Sequence, residues 1–282
     1  MPDAYKPAMV FGRELYAYFL ALSCICTPDD AADPTVVQES SFVFSEIAEY
    51  GYTGALFGCS DALFSLAPEA VSFLKASRRL QMTHLASRSE ETVSQTESGA
   101  VKEAGCLLSE IALLLTKVSL WEPDKLSDIT FAMSGRILQL ALTILLVEAS
   151  HWCTVVTSAH RGETVQAPVS FRTQSRSNLQ FQTSPLVAEF VAFLAKLPAQ
   201  SWIATTMCWS VVVLGSYATL PSDRATIQQY LQTMEATFGF RNMTRARVLL
   251  EHIWSRVRTF ETDQPIAISE AMVRTGGRFL LG

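Results

Sequence analysis

The chain has 282 residues, of which 49% are hydrophobic and only 17% charged, so it can fill a sizeable core. Its net charge of −5 argues against a nucleic-acid interface, because binding to phosphates requires a basic surface. Residues 1–10 do not resemble a secretion signal, and the most apolar run, residues 137–147, is shorter than the roughly 20 residues that cross a bilayer. We therefore expect a cytoplasmic or nuclear protein without membrane contact.

The N-terminal part of the chain predicts three helices separated by proline and glycine signals. An aromatic, apolar run over residues 11–22 predicts a buried helix, and the acidic, proline-bearing stretch 27–34 ends it. A short helix is predicted over residues 42–50. The apolar spacing of residues 61–74 predicts a third helix, with a kink or break at Pro68.

The middle of the chain alternates between apolar helices and polar connections. Residues 86–99 are polar and predict a mobile loop, whereas residues 101–120 have helical periodicity. Asp128 or Ser127 is expected to cap a helix that runs to about residue 156. Residues 160–183 contain glycine, proline and several serines, and predict a long polar loop with a short extended piece at 169–171.

The C-terminal part again predicts helices. One helix is predicted over residues 184–197 and another over the strongly apolar residues 202–217. Pro221 marks the start of the next helix. Gly239 is expected to end that helix and Asn242 to cap the last one. Four arginines of the last helix lie off its apolar stripe and are expected to form a solvated face: Arg245, Arg247, Arg256 and Arg258. The chain is thus predicted to be all-α, a single bundle-like domain over residues 1–282 with one long polar loop.

Neither the cysteines nor the histidines form a metal-binding pattern. Among the six cysteines only Cys24 and Cys26 are close in sequence, and we expect all six to be reduced, buried thiols. No histidine has a second histidine four residues away, and no Gly-rich phosphate loop or G-x-S-x-G motif is present. The sequence therefore predicts no metal and no cofactor, although a catalytic grouping could assemble in space.

Five side chains are candidates for lining a ligand pocket: Arg136, His151, Trp152, Trp209 and Tyr217. His151 and Trp152 lie near the end of an apolar helix, where they would supply a polar tip and an aromatic wall. Trp209 and Tyr217 are eight residues apart, close to two helical turns, and so face roughly the same side. His151, Trp152, Trp209 and Tyr217 also have a second interpretation, as ordinary parts of the packed core.

The stretch 202–260 resembles the end of the regulatory domain of fungal zinc binuclear-cluster transcription factors. The matching features are an apolar helix that ends in small-Gly-x-x-Ala (residues 214–218), Arg224 near a helix start, a Gly-x-x-Asn turn (239–242) and a helix that ends in Trp254. The segment ALFGCSDALFSLAPEAVSFL, residues 55–74, is similar to the Phe-Gly-x-Ser segment in the middle of the same domain.

The resemblance implies an all-helical regulatory domain, but the chain departs from the family at its start. Members of the family usually begin with a six-cysteine zinc cluster and a basic linker, and the cysteines here have the wrong spacing for that cluster. Direct DNA recognition is therefore not expected. No catalytic or binding residue comes with the resemblance.

Two functions remain open at this point. The first is a stand-alone regulatory domain, linked to secondary metabolism, that binds a small apolar molecule of polyketide or terpene type or forms a homodimer or heterodimer through its helices. The alternative is a co-opted biosynthetic enzyme that catalyses a cofactor-free cycloaddition of the Diels–Alder type in an apolar pocket, where orientation and a few donors suffice. A third interpretation, a fragment without activity of its own, predicts no site.

Overall fold

The structure is a computed structural model that describes residues 6–27, 34–49, 56, 61–87, 94–123, 128–160, 168–259, 268 and 271. Within these residues every regular element is a helix, which confirms the all-α prediction. The helices are α1 (Lys6–Cys26), α2 (Pro34–Glu49), α3 (Asp61–Phe64), α4 (Ala67–Ser87), α5 (Ser94–Ser119), α6 (Ile129–His160), α7 (Pro168–Leu194), α8 (Ile203–Thr206), α9 (Cys208–Ser216), α10 (Pro221–Phe238) and α11 (Arg241–Thr259).

Helix α6 is the centre of the packing. It contacts α4 and α5 most extensively and also packs against α7 and α9. Along the described part of the chain it is the one helix long and apolar enough to cross a membrane, over Ile129–Ala159. Its most apolar window is 56% buried inside the protein, as in the core helix of a globular domain. The apolar run of residues 137–147 is thus only the middle of a longer helix.

Several predicted helix boundaries are confirmed. Asp128 accepts a hydrogen bond from the Thr130 backbone N–H at 2.7 Å, and such bonds to Thr130 lower the pKa of the Asp128 carboxyl. The chain breaks between α3 and α4, just before Pro68, because proline is tolerated only in the first turn of a helix. Gly239 ends α10 in the left-handed conformation, with φ of 68°, which glycine adopts without steric cost.

The long loop predicted over residues 160–183 is wrong from Pro168 onward, because α7 begins there and runs without interruption through Pro185. The serines and threonines of this segment disfavour a helix, but five side chains spaced along one face are buried, and their packing outweighs that preference: Leu179, Thr183, Val187, Phe190 and Leu194. The predicted extended piece at 169–171 is therefore helical as well. Residues 161–167 lie outside the described residues.

Three other predicted boundaries need correction. Helix α2 begins at Pro34, eight residues before the predicted start. The polar stretch 86–99 is helical at both ends, since α4 reaches Ser87 and α5 begins at Ser94, while residues 88–93 lie outside the described residues. Asn242 lies inside α11, which begins at Arg241. In each case a polar segment continues a helix whose other face is buried.

The start of α6 packs tightly against the end of α5 through Gly135 and Trp121. A Cβ atom placed on Gly135 would lie 2.3 Å from Cη2 of the Trp121 ring, which is closer than two carbon atoms can approach. Gly105, in the middle of α5, has no neighbouring atom within 4 Å of the same position. The two helical glycines therefore differ only in what surrounds them.

This contrast gives a testable prediction about stability. We expect Gly135→Ala to lower the free energy of unfolding by about 1–3 kcal/mol, because the indole ring has to move. The matched variant Gly105→Ala should raise it by roughly 0.5–1 kcal/mol, since alanine is the better helix former. Urea denaturation of both variants checks the prediction, and equal effects at the two positions would contradict the tight contact.

Candidate functional site

A carboxylate lies fully buried in the apolar helix α6. The side chain of Glu148 has no exposed surface, and between Arg136 and His151 it is the one charged residue of the helix. An ionised carboxylate in such an environment is stable only if it is paired and hydrogen-bonded. The partners of Glu148 therefore decide whether its side chain can remain ionised.

Three side chains donate hydrogen bonds to Glu148, one from α4, one from α6 itself and one from the residue that follows α9. Arg78 of α4 donates from Nε and Nη2 to Oε1 at 3.0 and 2.7 Å. Trp152, one turn further along α6, donates its indole N–H to Oε1 at 2.9 Å. Tyr217, which directly follows α9, donates its phenol to Oε2. We call these four residues the Glu148 cluster.

The electrostatics of the cluster favour an ionised Glu148. Burial raises the pKa of this carboxyl, but the charge of Arg78 and the three donors outweigh burial and hold the pKa below its usual value. The phenol of Tyr217 responds in the opposite direction. Burial, together with the negative charge of Glu148, raises the pKa of Tyr217 well above its usual value. The cluster thus pairs a carboxylate with a neutral phenol.

Three of the five predicted ligand residues lie together in or beside this cluster. Trp152 and Tyr217 are direct partners of Glu148. The ring of His151 is half-buried and meets the Trp152 ring edge-on, with centroids 5.0 Å apart. Burial lowers the pKa of His151, and the nearby charge of Glu148 opposes this shift.

Arg136 lies outside the Glu148 cluster, and its partners are at the end of α5. Its Nη1 donates to Gln139 Oε1 at 2.7 Å, and its guanidinium lies 5.7 Å from the Trp121 ring centroid. Gln139 in turn donates to the backbone oxygens of Val118 and Trp121 at the end of α5. Arg136 and Gln139 therefore stabilise the end of that helix, where carbonyl groups lack partners within it.

Trp209 lies in the aromatic core and not in the Glu148 cluster. Its ring meets Phe64 edge-on at 5.8 Å, and Phe64 also stacks on Tyr18. The indole N–H of Trp209 is buried and has no hydrogen-bond acceptor among the described residues. Although Trp209 and Tyr217 are close to two turns apart, they contact different neighbours.

The residues that carry the family resemblance meet at the end of α9. Trp254 donates its indole N–H to the Gly215 oxygen at 2.9 Å, and Arg224 Nε donates to the Ala218 oxygen at 2.8 Å. The Arg224 guanidinium lies over the Trp254 ring at 5.4 Å. These residues close the carbonyl end of α9 and hold Tyr217 against Glu148. The Phe-Gly-Cys-Ser piece, residues 57–60, lies outside the described residues.

Sequence reasoning missed Glu148 and Arg78. The available signal was a single carboxylate in the middle of a strongly apolar helix, since such a group requires a buried partner. No local pattern identifies Arg78 as that partner, because the two residues are 70 positions apart in the chain. The partner becomes visible only when α4 and α6 pack together.

The arrangement binds helices together and leaves little capacity for acid–base chemistry. Both oxygens of Glu148 accept hydrogen bonds, and the donors of Trp152 and Tyr217 are used by it. Among the described residues, no group of three histidine, cysteine, aspartate or glutamate side chains is placed to hold a metal ion.

The prediction that every thiol is buried is wrong, because Cys106 is exposed among the described cysteines.

The buried ion pair gives a prediction with a defined pH dependence. Because the folded-state pKa of Glu148 is lowered, its ionisation stabilises the fold above the unfolded value of about 4.3, and this contribution is lost as the pH falls through the folded-state pKa. Arg78→Met leaves the buried carboxylate unpaired and should cost about 3–5 kcal/mol at pH 7. In that variant no guanidinium opposes the effect of burial, so the pKa of Glu148 rises.

The free energy of unfolding of Arg78→Met is expected to be lower than that of the natural chain. This difference should shrink as the pH falls from 7 towards 4, since a protonated Glu148 no longer needs the guanidinium. Denaturant unfolding at several pH values measures it. Arg79→Met is the matched control, because Arg79 is the exposed neighbour on α4 and should cost no more than about 0.5 kcal/mol. A difference in the free energy of unfolding that does not change with pH would contradict the ion pair between Arg78 and Glu148.

Comparison with known proteins identifies the family of the chain. The model of the fungal-specific transcription factor domain matches residues 3–272. No curated relative and no solved structure matches the chain significantly. A domain of this kind fits the nuclear or cytoplasmic location expected from the sequence, and it supports a regulatory role. With nearly its whole length matched, the chain belongs to the fungal-specific transcription factor domain family.

Proposed function

We propose that the chain is a regulatory domain that binds a small apolar molecule with a hydrogen-bond acceptor, such as a ketone, beside Trp209. Family membership supports the regulatory part of this function. The ligand part is carried by one observation, the buried indole N–H of Trp209 that has no acceptor among the described residues. A ligand of polyketide or terpene type would suit a regulator linked to secondary metabolism.

The other two buried indoles make Trp209 distinctive. Trp152 donates to Glu148 and Trp254 donates to the Gly215 oxygen, so both have found acceptors. A buried donor without a partner costs about 1–3 kcal/mol. A donor of this kind in a folded protein calls for an explanation, and a bound molecule that supplies the acceptor is one.

The surroundings of Trp209 favour an uncharged ligand. Phe64 meets its ring edge-on, Tyr18 stacks on Phe64, and Phe44 lies tilted against Phe64 at 6.2 Å. Burial raises the pKa of the neighbouring Cys208 thiol to about 12, which keeps it neutral. An apolar molecule with one acceptor matches a buried indole donor that lies among aromatic side chains.

The position of Trp209 connects a ligand to the rest of the fold. Trp209 lies on α9, and Tyr217 at the end of the same helix donates to Glu148. A molecule that displaces or orders α9 would therefore act on the contact between α9 and the central helix α6. This is the type of coupling that a regulatory domain needs, since an effector acts by favouring one of two arrangements.

The proposal is tested with Nile red, an apolar dye that carries a carbonyl acceptor. In a chain with ¹⁵N-labelled tryptophan, the indole signal that disappears in Trp209→Phe should shift when the dye binds to the natural chain. Trp209→Phe should weaken dye binding about tenfold, as expected for the loss of one hydrogen bond in an apolar site. Trp202→Phe, at a half-exposed indole, should not change it.

Stability gives a second readout for the same residue. Trp209→Phe should cost about 1–3 kcal/mol less than Trp254→Phe, because only the latter leaves a buried acceptor without its donor. Equal dye affinity for the natural chain and Trp209→Phe, with an unmoved Trp209 signal, would reject the ligand site. The family assignment would not be affected.

A second candidate function, dimerisation through helices, is favoured by aromatic side chains on the surface of α1 and α2. Phe11, Tyr16 and Phe19 of α1 are each 40–46% exposed, and Phe42 of α2 is 63% exposed. Exposed aromatic residues grouped on two neighbouring helices are typical of contact surfaces. The ion pair between Arg13 and Glu46 at 3.3 Å holds the two helices side by side here.

Sedimentation equilibrium at several concentrations tests dimerisation. We expect the natural chain to shift from monomer to dimer as its concentration rises, and the double variant Phe19→Ser, Phe42→Ser to remain monomeric. Phe181→Ser, at an 83% exposed phenylalanine of α7, is the matched control. A natural chain that is monomeric throughout would remove this candidate.

No observation among the described residues favours the alternative of a cycloaddition enzyme. That function needs donors that face a substrate, and two of its candidates, Trp152 and Tyr217, donate to Glu148 instead.

A further inference from the structure

The ring of Phe64 joins two aromatic side chains that come from distant parts of the chain. Tyr18 of α1 stacks on this ring with centroids 5.6 Å apart, and Trp209 of α9 meets it edge-on at 5.8 Å. Both separations are typical of aromatic pairs in contact. The phenol of Tyr18 and the indole of Trp209 therefore belong to the same part of the core.

The hydroxyl of Tyr18 lies near the start of α9. Burial raises the pKa of this phenol, and two thiols add to the effect, Cys208 of α9 and Cys26 of α1. Electrostatic effects weaken with distance, so the phenol and the thiols are close together. Cys208 directly precedes Trp209 in the chain. The Tyr18 hydroxyl and the indole of Trp209 thus approach one another from two helices.

The Tyr18 phenol is a neutral donor beside weak acceptors. Its raised pKa keeps it protonated at physiological pH. Thiol sulfur accepts hydrogen bonds only weakly, so Cys26 and Cys208 compensate poorly for the water that the phenol has lost. The phenol of Tyr217, by contrast, donates to the carboxylate of Glu148. Tyr18 is therefore a donor that a ligand oxygen can satisfy better than its thiol neighbours do.

We infer that the ligand beside Trp209 carries two hydrogen-bond acceptors and that Tyr18 donates to the second one. The inference rests on the proposed ligand site and adds the chemical class of the ligand, a neutral apolar molecule with two carbonyl oxygens. Trp209 donates to one carbonyl and Tyr18 to the other. The apolar part of the molecule lies against the ring of Phe64, which both donors contact.

The same burial argues against an acidic ligand. It raises the pKa of the Tyr18 phenol and of the Cys208 thiol, so negative charge is unfavourable at this place. A carboxylate would lose its water there at a high cost, whereas a ketone oxygen has much less to lose. A diketone therefore fits these surroundings better than a carboxylic acid.

Three naphthalenes of nearly equal shape test the inference on the full chain by isothermal titration calorimetry. The first has an acetyl group at each end, the second has isopropyl in place of one acetyl group, and the third has a carboxylate there. We expect the diketone to bind about tenfold more tightly than the monoketone, as for one additional hydrogen bond in an apolar site. The carboxylate should bind most weakly.

Variants assign the second hydrogen bond to Tyr18. Tyr18→Phe keeps the ring that stacks on Phe64 and removes the hydroxyl. It should weaken the diketone about tenfold, to the affinity of the monoketone, and leave the monoketone within about twofold. Tyr230→Phe is the matched control, because the Tyr230 phenol on α10 is also buried and has no acceptor among the described residues. It should leave both affinities unchanged.

The outcomes separate this inference from the proposed ligand site. Equal affinity for the two ketones, equal weakening of both by Tyr18→Phe, or tightest binding of the carboxylate would overturn the inference. The site beside Trp209 would still stand if Trp209→Phe weakens ketone binding. If no naphthalene binds, or if Trp209→Phe has no effect, the ligand site fails and this inference fails with it.

Circular dichroism and the melting temperature establish that Tyr18→Phe is folded. Should it not fold, the ratio of the two ketone affinities in the natural chain decides the question, since the monoketone differs from the diketone only in the second acceptor.

Discussion

The burial of one carboxylate in the central helix constrains the rest of the structure. Glu148 is fully enclosed, and it can remain charged there only because Arg78, Trp152 and Tyr217 all donate to it. Two of these partners come from outside α6, from α4 and from the end of α9. The packing of three helices is therefore tied to the hydrogen bonds of a single side chain. Helices that slide relative to one another would leave a buried charge without partners.

The end of α9 extends this constraint to the C-terminal helices. Trp254 of α11 and Arg224 of α10 donate to backbone oxygens at Gly215 and Ala218, on either side of Tyr217. There is little room for change at Gly215, since an added Cβ would lie 3.1 Å from Leu250 Cδ1. The motif residues that are similar to the family thus have a shared physical role. They fix the position from which Tyr217 reaches Glu148.

Whether a feature could be predicted from the sequence depends on how far apart in the chain the interacting residues are. Helices with strong apolar periodicity and local caps, such as the Asp128 cap of α6 and the Gly239 end of α10, were predicted because their signals are local. Helix α7 was not predicted over 168–183, since its polar residues are held in a helix by contacts with distant parts of the chain. Trp152 and Tyr217 were selected as polar-tipped aromatic residues, but their common acceptor, Glu148, and its partner Arg78 depend on the packing of α4, α6 and α9.

The direct test of this account is the charge state of Glu148 in the folded chain. In a sample with ¹³C-labelled glutamate side chains, the carboxyl signal that is missing from Glu148→Gln reports on its titration. We expect this signal to show an ionised carboxylate at every pH at which the chain is folded, down to values below the usual glutamate pKa of about 4.3. A folded-state pKa above that value would show that burial outweighs Arg78 and the three donors, and it would contradict the account.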